Sequence, residues 1–195
     1  MKICIISGST RQQAASLNVS RYIKSQLDDL NSGAEVEIFN LAEHDLPMWD
    51  ESTDLAQLAD IKDQLQQADS FVFVVPEWHG MAPPAVKNLF FLFGGVFRHK
   101  PAYLVGVSSG TGGRYPIPEM RSSTYKNSFI NYLPINAIID RVNKVINEQG
   151  EYVAETEFVR NRIDEGVKVL VEYTKAFSLI RESEIVQEKR FPNGV

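Results

Sequence analysis

The stretch "KICIISGSTRQQAASLN", residues 2–18, decides how this chain folds. It opens on an apolar run without polar alternation, the pattern of a strand covered on both faces. Helical spacing begins only further on, with Val19, Tyr22, Ile23, Leu27 and Leu30. A strand-to-helix connection normally takes about 2–6 residues. This one spends more, on small and polar side chains and one cation.

Working outward, similar runs recur as "EVEIFN" (35–40), "SFVFVVP" (70–76) and "PAYLVGVSS" (101–109), with a weaker "NAIID" at 136–140. Three-four spacing lies between and after them: Leu55, Leu58, Ile61, Leu65 and Ala68, then Val159, Ile163, Val167, Leu170 and Phe177. Strand and helix alternate, which predicts an α/β fold with a parallel sheet and helices on both faces. Residues 181–195 carry mixed charge and no period, and read as a tail. In such sheets ligands bind beyond the carboxyl ends of the strands. Three unusual loops are expected there, at 8–17, 76–84 and 108–118.

The 195 residues fit one domain, with 44% hydrophobic and 23% charged residues, the balance of a water-soluble protein able to bury a core without staples. A net charge of −5 with no basic block argues against nucleic acid. The one cysteine, Cys4, lies in an apolar run and reads as a buried structural thiol. No signal peptide is visible, and the longest stretch of apolar residues and glycine, "LFFLFGGVF", is too short for a span of ~20 residues. A cytoplasmic protein without a membrane partner is the expectation.

From Met1 to Leu27 there is no carboxylate. A helix ordinarily favours Asp or Glu in its first turn, opposite the positive end of its dipole. Here Gly8, Ser9, Thr10, Arg11, Gln12, Gln13, Ser16 and Asn18 offer amides, hydroxyls and a guanidinium instead, a set suited to a phosphate. A simple helix cap by Ser16 or Asn18 would explain the end of the loop but neither its length nor the missing acids. The loop lacks both the Walker pattern and G-x-G-x-x-G, so a mononucleotide suits it better than a dinucleotide.

"GSTRQQAASLN" (8–18) resembles the G-S-x-R-x-x-S-x-N phosphate loop of the NADPH-dependent FMN reductase family, with one or two extra residues before the serine. The resemblance implies a flavodoxin-like three-layer αβα sandwich, its five-stranded parallel sheet ordered 2-1-3-4-5. It implies one FMN-binding domain over 1–180, with Ser9, Arg11, Ser16, Leu17 and Asn18 on the phosphate of FMN. "PEWHGMAPPAVKN" (76–88) is similar to the family's P-E-Y-N-x-x-x-P-x-x-L-K-N segment. That likeness sets Pro76, Glu77, Trp78, His79 and Gly80 beside the flavin ring, with Trp and His where Tyr and Asn are usual. "SSGTGGRYPIPEM" (108–120) resembles the glycine loop at the pyrimidine edge, which adds Ser109, Gly110, Gly112 and Gly113. "NEQGEY" looks like the family's short glycine turn before the last helix.

The activity so implied is an FMN-dependent oxidoreductase that takes electrons from NADPH or NADH and delivers them to a small-molecule acceptor: a flavin, quinone, azo compound or metal oxyanion. No side-chain nucleophile and no metal are called for. A flavodoxin-type electron carrier, or a flavin-free domain holding another phosphate ligand, are the alternatives. "VKNLFFLFGGVF" (86–97) is apolar nearly all round, so it is either central or paired with a second copy. With the family's habit, that predicts a homodimer or homotetramer.

Overall fold

Successive residues of a strand face opposite sides of its sheet, so a strand apolar at every position needs cover on both. β1 (Lys2–Ser7) shows the result in the computed structural model, which describes residues 1–188. Ile3 and Ile5 join one core with Val72, Val74, Tyr103 and Val105, under helices α1 (Ala15–Asp29) and α5 (Phe158–Glu182). Cys4 and Ile6 join the other with Phe71, Phe73, Val75 and Leu104, under α2 (Ala59–Gln66) and α3 (Pro84–Phe93). Cys4 is fully buried.

β2 (Glu35–Asn40), β3 (Ser70–Pro76), β4 (Pro101–Val107) and β5 (Asn131–Ile139) complete a five-stranded sheet. Its order is β2-β1-β3-β4-β5, and every neighbouring pair is parallel. This is the flavodoxin-like order expected above. Strand order reverses between β1 and β3, so the loops leaving their carboxyl ends diverge and open a crevice.

Three differences from the sequence reading have physical causes. β5 begins five residues before the "NAIID" run, and its register against β4 shifts between Ala102 and Leu104. Pro134 sits in that bulge, tolerated because β5 is an edge strand. Helix α4 (Pro116–Ser123) occupies the end of the third loop, started by Pro116 in its first turn. Of the tail expected at 181–195, Arg181 and Glu182 complete α5 and Glu184–Gln187 add a single turn. Residues 189–195 lie outside those described. α5 runs on because Arg181 anchors it, with Nη2 2.6 Å from Asp69 Oδ1 and Nη1 donating to the carbonyls of Asp69 and His99. Among the described residues, no helix is long and apolar enough to cross a membrane.

Candidate functional site

A cavity of about 580 Å³ opens at the carboxyl ends of β1, β3 and β4, within the usual range of about 300–1,000 Å³ for ligand pockets. Ser9, Arg11, Gln13, Ser16 and Asn18 line it from the first loop and the start of α1. Pro76, Glu77 and Trp78 line it from the second loop, and Ser108 and Ser109 from the third. The far wall is Val142, Asn143 and Ile146–Gln149.

The first loop leaves the sheet with Gly8 N–H donating to Val74 O at 2.9 Å. Ser9 Oγ accepts from Arg11 N–H at 3.2 Å and closes a local turn, while Gln12 Nε2 reaches Ala42 O at 3.0 Å. Ala14 stands at the N-cap of α1 without a side-chain cap, and the first turn holds no acidic residue. Neither capping candidate in the sequence is used as a cap. Ser16 Oγ lies 3.4 Å from Ser7 Oγ, and Asn18 Oδ1 accepts from Arg21 Nη1 at 3.3 Å. The positive end of the helix therefore faces the cavity. Arg11 adds a full charge: among the described residues it forms no ion pair, and its guanidinium lies over the Trp78 ring, 5.5 Å from the centroid.

The second loop is a two-residue turn. Trp78 and Met81 exchange both backbone hydrogen bonds at 2.9 Å, and His79 and Gly80 between them have φ of 50° and 74°. Two successive positive φ values match a type I′ turn, a geometry that favours Asn and Gly and is open to His. This accounts for a position where Asn is usual. The turn leaves Trp78 43% exposed at the cavity, while His79 and Gly80 stand outside the lining.

The third loop is held from beneath. Glu77 Oε2 accepts from the N–H groups of Gly113 at 2.6 Å and Tyr115 at 3.2 Å. Gly113 (φ 90°) lies backbone to backbone on Gly106 of β4, where any side chain at 106 would strike its carbonyl. Glu119 of α4 works from the other side, accepting from Ala82 N–H and Lys87 Nζ, both at 2.6 Å. Burial pushes the Glu119 carboxyl up, but Lys87 and the Ala82 amide outweigh it and its pKa lies below the ordinary value.

Of the residues singled out in the sequence, Ser9, Arg11, Ser16, Asn18, Pro76, Glu77, Trp78 and Ser109 meet at the cavity. Leu17 does not line it, and its N–H is already donated to Ala14 O at 2.9 Å. Gly110, Gly112 and Gly113 also lie outside the lining; the last two pack under Glu77 and on β4. Asn143 and Asn147–Gln149 were missed as site residues. Their signal was the "NEQGEY" turn, which Arg21 ties to α1 by donating to both Asn18 Oδ1 and Glu148 O. Among the described residues, no group of three His, Cys, Asp or Glu could hold a metal ion.

Both the sequence and the fold match known proteins. The sequence model of NADPH-dependent FMN reductase matches residues 1–141. The chain is 28% identical over 155 residues to an NADPH azoreductase from Bacillus sp. (strain OY1-2), covering 77% of this chain and 83% of that protein. It is 32% identical over 129 residues to an FMN-dependent NADPH-azoreductase from Staphylococcus saprophyticus, covering 62% of this chain and 68% of the relative. In fold it is similar to FerB, a flavoenzyme NAD(P)H:(acceptor) oxidoreductase from Paracoccus denitrificans. That match has a TM-score of 0.64 at 16% identity, over 90% of this chain and 98% of the other.

Proposed function

The chain belongs to the NADPH-dependent FMN reductase family, and from that premise we propose that its cavity holds FMN and serves electron transfer from NADPH to a small-molecule acceptor, azo compounds foremost. The carrying observation is the uncapped, acid-free start of α1, open to a cavity that Arg11 borders without an ion-pair partner among the described residues. The donor set fits the cofactor. The hydroxyls of Ser9 and Ser16, the Arg11 guanidinium and the amides of Ala15 and Ser16 suit a dianionic phosphate. Pro76–Trp78 and Ser108–Ser109 suit the edge of a flat ring, presenting fixed backbone beside an aromatic side chain.

FMN held there would supply two-electron redox chemistry between the nicotinamide and the acceptor. The protein's part is placement and electrostatics. Arg11 and the helix end would hold the phosphate, the turn at 78–81 fixes Trp78 beside the mouth, and no side chain need act as nucleophile. The azo acceptor is favoured because azoreductases stand among the relatives at 28–32% identity. A cytoplasmic site of action is part of this reading, supported by a lone thiol buried in β1.

We further propose a homodimer. α3 buries Val86, Leu89, Leu92 and Phe93 yet leaves Phe91 64% exposed, stacked on the half-exposed Trp49 with centroids 5.8 Å apart. Exposed aromatic patches of this kind mark association surfaces.

The test is to purify the chain, record its visible spectrum with and without added FMN, and follow NADPH oxidation with an azo dye, a quinone and free flavin. Yellow protein that consumes NADPH only with an acceptor present supports the reading. Protein that takes up no FMN sinks it, and bound FMN without NADPH oxidation points to an electron carrier instead.

A further inference from the structure

We propose that Glu77 is a positioning residue: its carboxylate latches the loop 110–115 to the end of β3 and so fixes the Ser109 backbone, which lines the cavity where FMN seats. The inference rests on the FMN reading above. A carboxylate beside a phosphate-binding cavity works against that cavity unless something else engages it. Here both oxygens face the third loop. Oε2 takes the N–H groups of Gly113 and Tyr115, and Oε1 lies 2.8 Å from where a Cβ on Gly112 would stand. The Glu77 main chain is fixed too, its N–H donating to Val107 O at 2.8 Å.

Ser108, at the root of the loop, is anchored on its own, its N–H donating to Ile139 O at 2.9 Å and its carbonyl accepting from Val142 N–H at 3.0 Å; the residues after it have few other tethers. Gly110 N–H donates to Ser108 Oγ at 3.2 Å, and Gly110 O accepts from Arg141 N–H at 2.8 Å. Beyond Gly110, the hydrogen bonds of the Gly113 and Tyr115 amides run to Glu77. The carboxylate also sits just ahead of α4, where negative charge is favoured by the helix dipole. Glu119 makes the reciprocal crossing, from α4 back to Ala82 of the second loop and Lys87 at the start of α3. Two carboxylates thus stitch the second and third loops together in opposite directions. A seat built of backbone is only as precise as the groups that hold it.

The test uses the full chain with Glu77→Ala, Glu77→Gln and Glu77→Asp, read by amide hydrogen exchange and by FMN affinity from fluorescence quenching. In Glu77→Ala, exchange at Gly113 and Tyr115 should accelerate while β3 and β4 amides keep their protection. FMN should bind about 10–100-fold more weakly, the range found when a supporting hydrogen-bond partner is lost at metal sites. Glu77→Gln keeps an oxygen in the same place and should restore both readouts; Glu77→Asp, one methylene short, should not, and it carries the test if the alanine variant fails to fold. Unchanged exchange at Gly113 and Tyr115 overturns the latch. Weakened FMN binding with unchanged exchange overturns it too, since Glu77 would then act on the ligand directly. Wild-type protein that takes up no FMN overturns the functional reading instead, and shows before any variant is made.

Discussion

Replacing Arg11 by alanine isolates the charge that the first loop offers a phosphate. Two unit charges 4 Å apart attract by about 1 kcal/mol in bulk water and about 4 kcal/mol at an effective dielectric of about 20, and an exposed side chain at a cavity rim lies between. Charge-assisted hydrogen bonds are worth about 1.5–3 kcal/mol. Against this, Arg11 leaves its place over Trp78, 5.5 Å from the ring centroid, a contact worth about 0.5–1 kcal/mol at an exposed site. The net loss expected for Arg11→Ala is about 0.5–2.5 kcal/mol, or about 2–70-fold in the FMN dissociation constant. Riboflavin carries the same ring without the phosphate, so its affinity should hardly change. Titration of both ligands into both proteins, by flavin fluorescence or calorimetry, reads the difference directly. The wild-type preference for FMN should also shrink with added salt. Equal losses for FMN and riboflavin would refute the reasoning, because the loop would then contact something other than the phosphate.

Three further substitutions probe the framework. A Cβ on Gly8 would lie 2.7 Å from Val74 O and 2.8 Å from Val86 Cγ2, so Gly8→Ala should cost about 1–3 kcal/mol in urea unfolding; an unchanged midpoint would contradict the close approach. Thr174 Oγ1 lies 2.8 Å from Ser70 Oγ in the core, and Thr174→Val, leaving that hydroxyl alone, should cost about 1–3 kcal/mol by the same assay. Lys100 is buried with Nζ donating to Gln66 O, and burial, helped by Arg181, pushes its pKa down from 10.5 to about 8. Between those values the unfolded chain binds more protons than the folded one, so this residue makes stability rise with pH from about 8 towards 10.5, by about 2–4 kcal/mol. Lys100→Met should be the more stable protein at pH 7 and lack that rise; an undiminished rise would clear Lys100 of the effect.

Much of the molecule was legible because its signals are local. The unbroken apolar runs of β1, β3 and β4 required a sheet covered on both faces, since alternate residues of one strand enter two different cores. The missing carboxylates before Asp28 pointed to the uncapped, acid-free start of α1, whose field is left unanswered by the chain's own side chains. Sequence by itself thus settled the class of fold and singled out the first loop as the place to look for a ligand. Tertiary structure decided which groups remain available there. Leu17 spends its amide on Ala14, Glu77 turns its carboxylate to a loop 36 residues away, and Asn88 holds Pro47 and Trp49 instead of facing the cavity. Asn147–Gln149 close a cavity begun at Ser9, about 140 residues earlier in the chain. Hydrogen bonds are awarded by proximity, and proximity here follows from β1 lying between β2 and β3, an adjacency no local pattern encodes.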